Sequence, residues 1–147
     1  MIRDLEKAKA RLAADECTCV LCCGEQVYVS RERGVKPLLE QLEAGAFPRG
    51  FSAADRVVGR AAAFLYVLLG AREIYAEIMS EPARQVLAAH GIVYSYASLV
   101  PAIRNRTGDG FCPMESAVRE IDDPEKALAA IRQKLAALSA NKKDGLV

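Results

Sequence analysis

A cysteine and a glutamate three residues apart, Cys112 and Glu115, are the residues of this sequence best placed to do chemistry. They stand in the stretch NRTGDGFCPMESAV, where a polar, glycine-rich loop leads into a predicted helix start. A helix N-terminus lowers the pKa of a cysteine thiol, and a neighbouring carboxylate opposes that shift. Cys112 can therefore be a helix cap, a ligand contact or a nucleophile. Glu115 can be a cap or a general acid/base.

A catalytic cysteine commonly relies on a histidine as its base, and the chain has one histidine, His90. His90 stands beside Gly91 at the end of a different predicted helix, where we expect it to face the helix dipole. The sequence therefore argues against a Cys–His nucleophile pair.

Two further acids, Asp55 and Glu81, are expected in the first turns of predicted helices. Carboxylates are favoured there by the helix dipole, so each can be a simple cap. Ser80 precedes Glu81 as a predicted N-cap. Glu81 shares with Glu115 the candidate role of general acid/base.

Two arginines, Arg56 and Arg60, are expected one turn apart on a long helix from Ser52 to Leu69, which begins with an S-x-x-D capping box. The rest of that helix is almost wholly apolar, and an unpaired guanidinium there would be costly. Two interpretations stay open. Arg60 pairs with Glu81 or Glu115, or it contacts an anionic or carbonyl-bearing ligand.

The elements that would position these residues follow from hydrophobic periodicity and turn residues, and they predict an α/β fold. The order is α-β-β-α-α-β-α-β-α, with strand-helix-strand crossovers that favour parallel strand pairs. We expect one domain over residues 1–147, with 123–140 as an added C-terminal helix. Its apolar stripe is either intramolecular packing or an interface. The predicted segments are helices near the N-terminus and at 37–45, 52–69, 80–91, 112–118 and 124–138, a hairpin over 17–29, and strands at 72–80 and 92–100.

Composition excludes several classes of protein. The 147 residues carry 20 basic and 19 acidic side chains, so there is no electrostatic case for binding nucleic acid or an anionic membrane. The most apolar stretch, residues 61–71, is too short to span a bilayer. We expect a soluble, cytoplasmic protein with reduced thiols.

Four of the five cysteines, Cys17, Cys19, Cys22 and Cys23, are clustered. On a strand, Cys17 and Cys19 would share one face and Cys22 would lie on the other, so the thiols could not converge on one ion. A buried apolar role is favoured, with a metal site or redox chemistry as alternatives. We expect no metal and no cofactor.

Four blocks of sequence carry a resemblance to a known family: RGVKPLL, ADRVVGRAAA, IMSEPA and NRTGDGFCPME. On these blocks the chain up to about Val118 resembles a family of small bacterial and archaeal proteins, catalogued as a domain of unknown function and assigned to the cytidine-deaminase-like superfamily. Arg56 and Arg60 stand where lysine is usual in that family. The resemblance implies a three-layer sandwich, cytidine-deaminase-like, with a mixed sheet and helices on both faces. The tail helix lies outside it.

A zinc deaminase needs three metal ligands, an open position for water and a free carboxylate. The position of the Pro-Cys-x-x-Cys motif of deaminases reads Pro82-Ala83-Arg84-Gln85-Val86, so Ala83 and Val86 replace both thiolates. The predicted helix over 53–69 contains no His, Cys or Glu. We therefore expect a zinc-independent protein.

Helix N-termini gather outside the carboxyl ends of parallel strands, and ligands bind there. We therefore expect a pocket that binds a small polar metabolite, such as a nucleoside or nucleotide. If the ligand is turned over, Glu115 or Glu81 is the candidate acid/base and Cys112 the candidate nucleophile. The alternative is a non-catalytic interaction module that acts as a homodimer. The expected pocket residues are Asp55, Arg56, Gly59, Arg60, Ser80, Glu81, Asn105, Arg106, Cys112 and Glu115.

Overall fold

A computed structural model describes residues 3–104, 110 and 112–144, with side chains as far as residue 139. The described residues form these helices: α1 Asp4–Ala14, α2 Lys36–Ala44, α3 Arg60–Leu69, α4 Glu81–Ala89, α5 Pro113–Val118 and α6 Pro124–Asp144. They form these strands: β1 Cys19–Cys23, β2 Gln26–Ser30, β3 Ser52–Val58, β4 Glu73–Ser80 and β5 Val93–Val100.

The strands of the described residues make one mixed sheet in the order β2-β1-β3-β4-β5. β1 and β2 form the predicted hairpin, and β1 also runs antiparallel to β3. β3, β4 and β5 are parallel. The register places Cys19 opposite Asp55 on one side of β3, and Ala76 opposite Asp55 on the other.

Helices cover both faces of this sheet, which confirms the predicted α/β sandwich. α1 packs on one face, where Ala8 and Leu12 meet Val20 and Ala54 in a small apolar cluster. The larger cluster lies on the other face, and its biggest fully buried side chains include Tyr66 and other aromatic and aliphatic residues of α2 to α4 and α6.

The predicted helix from Ser52 to Leu69 is wrong in its first half. Residues 52–58 are the strand β3, and the helix α3 begins only at Arg60, after Gly59 as its N-cap residue. The alanines favour a helix locally, but β3 lies between β1 and β4, and pairing with both neighbours overrides that preference. Consequently no capping box joins Ser52 and Asp55, and Arg56 and Arg60 are not one helical turn apart.

Local signals predicted the ends of α2 and the start of α4 correctly, whereas α6 runs to Asp144, beyond the predicted end of the tail helix. Pro37 stands in the first turn of α2, and Gly45 ends that helix with φ of 62°, a left-handed conformation that suits glycine. The Ser80 hydroxyl accepts a hydrogen bond from the Ala83 N–H at 3.1 Å, so Ser80 is the N-cap of α4.

The tail helix is part of the packed body. α6 contacts α3 and α5, and its residues Ala127 and Ile131 are fully buried. Leu128 and Leu135 pack against the same core, whereas Leu138 is 38% exposed. Its apolar stripe therefore serves mainly intramolecular packing. Within the described ranges, no helix has both the length and the apolar character needed to cross a membrane.

Candidate functional site

A cavity of about 810 Å³ opens at the carboxyl end of β3. Because β1 is antiparallel to β3, the start of β1 meets the end of β3 at this edge of the sheet. The cavity is lined by Thr18 and Cys19 of the β1 start, residues 32–35 before α2, Asp55, Arg56 and Val57 of β3, Gly59, Ala61 and Ala62 of the α3 start, Ile103 and Arg104, and residues 112–115.

Asp55 is the acid that β3 presents to this cavity. Its side chain is half-buried, and Oδ2 accepts a hydrogen bond from the Tyr66 hydroxyl at 2.7 Å. Oδ1 accepts from the Val57 N–H at 3.3 Å. The Tyr66 oxygen is also 3.3 Å from Cys19 Sγ, and both Tyr66 and Cys19 are buried. Three polar groups from β1, β3 and α3 thus form one chain that ends at the cavity.

Burial raises the pKa of Asp55 to about 6, and the hydrogen bond from Tyr66 and those from backbone N–H groups limit the rise. Burial also raises the pKa of Tyr66 and of Cys19 well above their ordinary values. Tyr66 and Cys19 therefore stay protonated near neutral pH, while Asp55 changes its charge within the physiological range.

Glu115 caps a helix, but not its own. Its two carboxylate oxygens accept hydrogen bonds from the N–H groups of Arg60 at 2.6 Å and Ala61 at 2.8 Å, which are orphan donors at the start of α3. Gly59 permits this approach, because a Cβ there would lie 2.5 Å from Glu115 Cδ. Burial raises the pKa of Glu115, and the two N–H donors oppose the rise.

The Arg60 side chain is directed away from the residues that the sequence suggested as partners. It donates to the carbonyl oxygens of Val118, at 3.0 Å, and of Ile121, and it pairs with Asp122 at 2.9 Å. Its guanidinium also lies 5.0 Å from the centroid of the Phe64 ring. The predicted ion pair of Arg60 with Glu81 or Glu115 is wrong, since Glu115 contacts only the Arg60 backbone. Arg60 joins α3 to the segment between α5 and α6, and it lines a second cavity of about 700 Å³.

Arg56 holds α1 to the sheet. Its guanidinium donates to the carbonyl oxygens of Leu12 at 2.6 Å, Asp15 at 3.1 Å and Cys17 at 3.0 Å. It also pairs with Glu77 at 2.6 Å. Three of these contacts satisfy carbonyls at or just beyond the end of α1, where a cation is favoured. Arg56 lines the cavity, but its donors are directed toward α1.

Ser80 and Glu81 lie at the start of α4 and line neither cavity. Glu81 pairs with Arg84, which donates to its oxygens at 2.9 and 3.0 Å, and this hydrogen bonding lowers the pKa of Glu81. Both residues therefore act at the end of their own helix, away from Asp55.

Cys112 is the N-cap residue of α5, and its side chain makes no capping hydrogen bond. It is half-buried and lines the cavity, while its N–H donates to the Ile103 oxygen at 3.2 Å. The predicted ligand contacts Asn105 and Arg106 lie outside the described residues. The structure thus brings together Asp55, Gly59, Cys112 and Glu115 around one cavity.

The cysteines do not converge. Cys19 belongs to the larger core cluster, whereas Cys17 and Cys22 belong to the smaller one. The expectation that Cys17 would share a face with Cys19 is wrong, because Cys17 precedes β1 and does not follow its alternation. In the part of the chain that the structure describes, no three His, Cys, Asp or Glu side chains are grouped to hold a metal ion.

Sequence reasoning missed two members of the site, Tyr66 and Cys19. Cys19 was favoured as a buried apolar residue, and Tyr66 was not singled out within its apolar stretch; both belong to the larger core cluster. One signal was present for Tyr66, because a hydroxyl inside the apolar run AAAFLYVLL must find a hydrogen-bond partner when it is buried.

Comparisons with known proteins place the chain among relatives of the same architecture. A family model described as TM1506, a domain of unknown function (DUF1893), matches residues 7–135. The matched range runs into α6, beyond Val118, where the resemblance was expected to end. The chain is similar to a solved structure of a DUF1893 family protein (TM1506) from Thermotoga maritima, with 26% sequence identity and a TM-score of 0.78. The alignment includes 93% of this chain and 92% of the Thermotoga maritima chain. No curated protein matches the chain.

Proposed function

This chain belongs to the DUF1893 family of domains of unknown function, and we propose that it binds a small polar metabolite in the cavity at the carboxyl end of β3. The observation that carries the proposal is the Asp55 carboxylate, which β3 presents to that cavity with the Tyr66 hydroxyl 2.7 Å behind it. Ligand sites typically combine apolar walls with a few convergent polar groups.

The cavity has the size and chemistry for such a ligand. Its volume of about 810 Å³ lies within the ordinary range of small-molecule sites, and it suits a nucleoside- or nucleotide-sized molecule. Val35, Val57, Ala62 and Ile103 supply apolar wall, and the polar groups come from separate segments of the chain. The position outside the carboxyl end of a parallel strand is where α/β sheets bind ligands.

If the ligand is turned over, Asp55 is the better candidate acid/base in this proposal. Both carboxylate oxygens of Glu115 are engaged by backbone N–H groups at the start of α3, whereas burial raises the pKa of Asp55 to about 6 and Asp55 lines the cavity. Cys112 remains the candidate nucleophile, since this residue lines the same cavity and its side chain makes no capping hydrogen bond.

We also propose a cytidine-deaminase-like relationship without zinc. Helices α3 and α4 both begin where the parallel strands β3 and β4 end, an arrangement expected of that superfamily. Ala83 and Val86, which stand where thiolates would be needed, are buried in the apolar core beside α3.

A thermal-shift screen against nucleosides, nucleotides and other polar metabolites tests the binding proposal. A hit must lose its effect in Val57→Trp, which fills the cavity from a position that is 41% exposed. Val27→Trp is the matched control, because Val27 is a strand residue, 46% exposed, that does not line the cavity. Hits that stabilise wild type and Val57→Trp equally would refute cavity binding.

The second candidate function is self-association, and the exposed strand β5 favours it. β5 is the last strand of the sheet as described, and its eight residues carry no charge and no proline. Val93 is 58% exposed, and Tyr96 and Leu99 are each 39% exposed. Edge strands of this kind pair readily with an identical strand of a second copy.

Light scattering of wild type and of Ala97→Lys tests this alternative. In an antiparallel pair of β5 strands the two introduced lysines would lie near each other, so a dimer should dissociate. Ala136→Lys, an exposed position on α6, is the control. A monomeric wild type, or a dimer that Ala97→Lys leaves intact, removes the β5 interface.

A further inference from the structure

Asp55 forms no ion pair with any other side chain that the structure describes. The acids that do form ion pairs there include Glu77 with Arg56, Glu81 with Arg84 and Asp122 with Arg60. The hydrogen bonds of the Asp55 side chain come instead from a neutral hydroxyl and a backbone N–H. A half-buried carboxylate is partly desolvated, and a cationic partner stabilises its charge.

The hydrogen-bond chain behind Asp55 has a fixed direction. An ionised carboxylate can only accept, so the single hydroxyl proton of Tyr66 is donated to Asp55 Oδ2 at 2.7 Å. The Tyr66 oxygen can then accept from the Cys19 thiol at 3.3 Å. Each donor in the chain therefore points toward Asp55, and the chain stabilises a negative charge at the cavity wall rather than in the core.

Other charged and titratable groups surround the cavity. Burial raises the pKa of Asp55, and the positive charge of Arg56 lowers it in part. Glu32, Arg33, Arg56, Arg104, Cys112 and Glu115 line the same space. Arg56 is directed to α1 and Glu77, and Glu115 is held by the N-terminus of α3. No ion pair to Asp55 occurs among the described residues, and Glu32 pairs with Lys36.

We propose that Asp55 binds a cationic nitrogen group of the ligand, such as a protonated amine, an amidine or a guanidine, with Tyr66 and Cys19 as positioning residues. This inference rests on the proposed function, because it assigns a chemical class to the group that enters the same cavity. A charge-assisted hydrogen bond from such a group to a desolvated carboxylate is stronger than one from a neutral donor.

Benzamidine and benzamide are the probes, because they have the same shape and differ in one heteroatom and one positive charge. Ligand-detected NMR at pH 7.5 is expected to give benzamidine roughly tenfold higher affinity for wild type than benzamide. The preference disappears in Asp55→Asn. It persists in Glu40→Gln, which changes an exposed acid on α2 that lines neither cavity.

A pH series supplies a readout that a merely structural role of Tyr66 would not move. The preference for benzamidine falls as the pH drops through about 6, where Asp55 becomes protonated. Tyr66→Phe removes a hydrogen bond that lowers the pKa of Asp55, so the midpoint moves to higher pH. The pH midpoints of wild type and Tyr66→Phe therefore test the role of Asp55 even if Asp55→Asn does not fold.

Equal affinity for both probes at pH 7.5, or a preference that Asp55→Asn leaves unchanged, would overturn the inference. A midpoint that Tyr66→Phe does not move would overturn the positioning role. These failures are distinct from failure of the proposed function. A metabolite that binds the cavity without a cationic group refutes only the inference, whereas probe selectivity with no metabolite hit refutes only the metabolite proposal.

Discussion

The contact of Glu115 with the start of α3 leads to a prediction that two substitutions should behave as one. Glu115→Ala removes the acceptor for the N–H groups of Arg60 and Ala61. Gly59→Ala places a Cβ 2.5 Å from Glu115 Cδ and displaces the same carboxylate, although the φ of −99° at Gly59 suits alanine. Both substitutions therefore break the same two hydrogen bonds.

The size of the effect follows from those bonds. A hydrogen bond to a charged group contributes about 1.5–3 kcal/mol, and loss of a helix cap costs about 0.5–2 kcal/mol. Releasing the carboxylate to water offsets part of this loss, because burial raises the pKa of Glu115 and so disfavours its charge. We expect each single substitution to lower the free energy of unfolding by about 2 kcal/mol. The double variant should lose about the same amount, not twice as much.

Urea unfolding followed by circular dichroism at pH 7 measures all three variants. Ser116→Ala is the control, because Ser116 is an exposed neighbour on α5 and its substitution should change the free energy by less than about 0.5 kcal/mol. Additive losses in the double variant, with no coupling between Gly59 and Glu115, would refute the assignment of Glu115 as the cap of α3.

Three further outcomes are expected. The pKa of Asp55 is raised to about 6 in the folded chain, against an ordinary value of 3.8, so its ionisation destabilises the folded state as the pH rises from about 4 to about 6. After allowance for the partial exposure of Asp55, the free energy of unfolding of Asp55→Asn, measured in urea, should rise by about 1–2 kcal/mol relative to wild type over that pH window. A difference between the two proteins that does not change with pH would contradict the raised pKa of Asp55. Arg56→Lys should cost about 2–3 kcal/mol, because one ammonium cannot replace the fork that reaches Leu12, Asp15 and Glu77, and hydrogen exchange of α1 should accelerate. Unchanged exchange in α1 would argue against that role of Arg56. Ser80→Ala should cost about 1 kcal/mol in thermal unfolding, because it removes the acceptor of the Ala83 N–H, and an unchanged melting temperature would argue against the cap.

Most elements of the fold could be predicted because their signals are local. The hairpin, the strand β4 followed by α4, and the start of α5 all carry turn residues, caps or alternation within a few positions. β3 could not be predicted in the same way. Its residues SAADRVV have no strict alternation, and they form a strand because β1 and β4 pair with both of its edges.

The error over β3 carried through to the candidate site. A helix over 52–69 would place Arg56 and Arg60 on one surface, whereas in the structure Arg56 holds α1 and Arg60 holds the segment after α5. The sequence left Glu115 open as a cap of its own helix or a general acid/base, whereas in the structure it caps α3, whose start is 55 residues away in the chain. Such a partner depends on packing between α3 and α5, which no local pattern encodes.

By itself the sequence determined the class of fold, most of the element boundaries, and the segments around Asp55 and Cys112 as the region of interest. These follow from periodicity, capping and polarity, which act over a few residues. Only the tertiary structure decided that Asp55 lines the cavity with a tyrosine hydroxyl behind it. Asp55 does so because the antiparallel register sets it opposite Cys19, and because α3 returns across the sheet and brings the Tyr66 hydroxyl within 2.7 Å. Those contacts join residues that are 11 to 47 positions apart, so chain folding, not local preference, creates them.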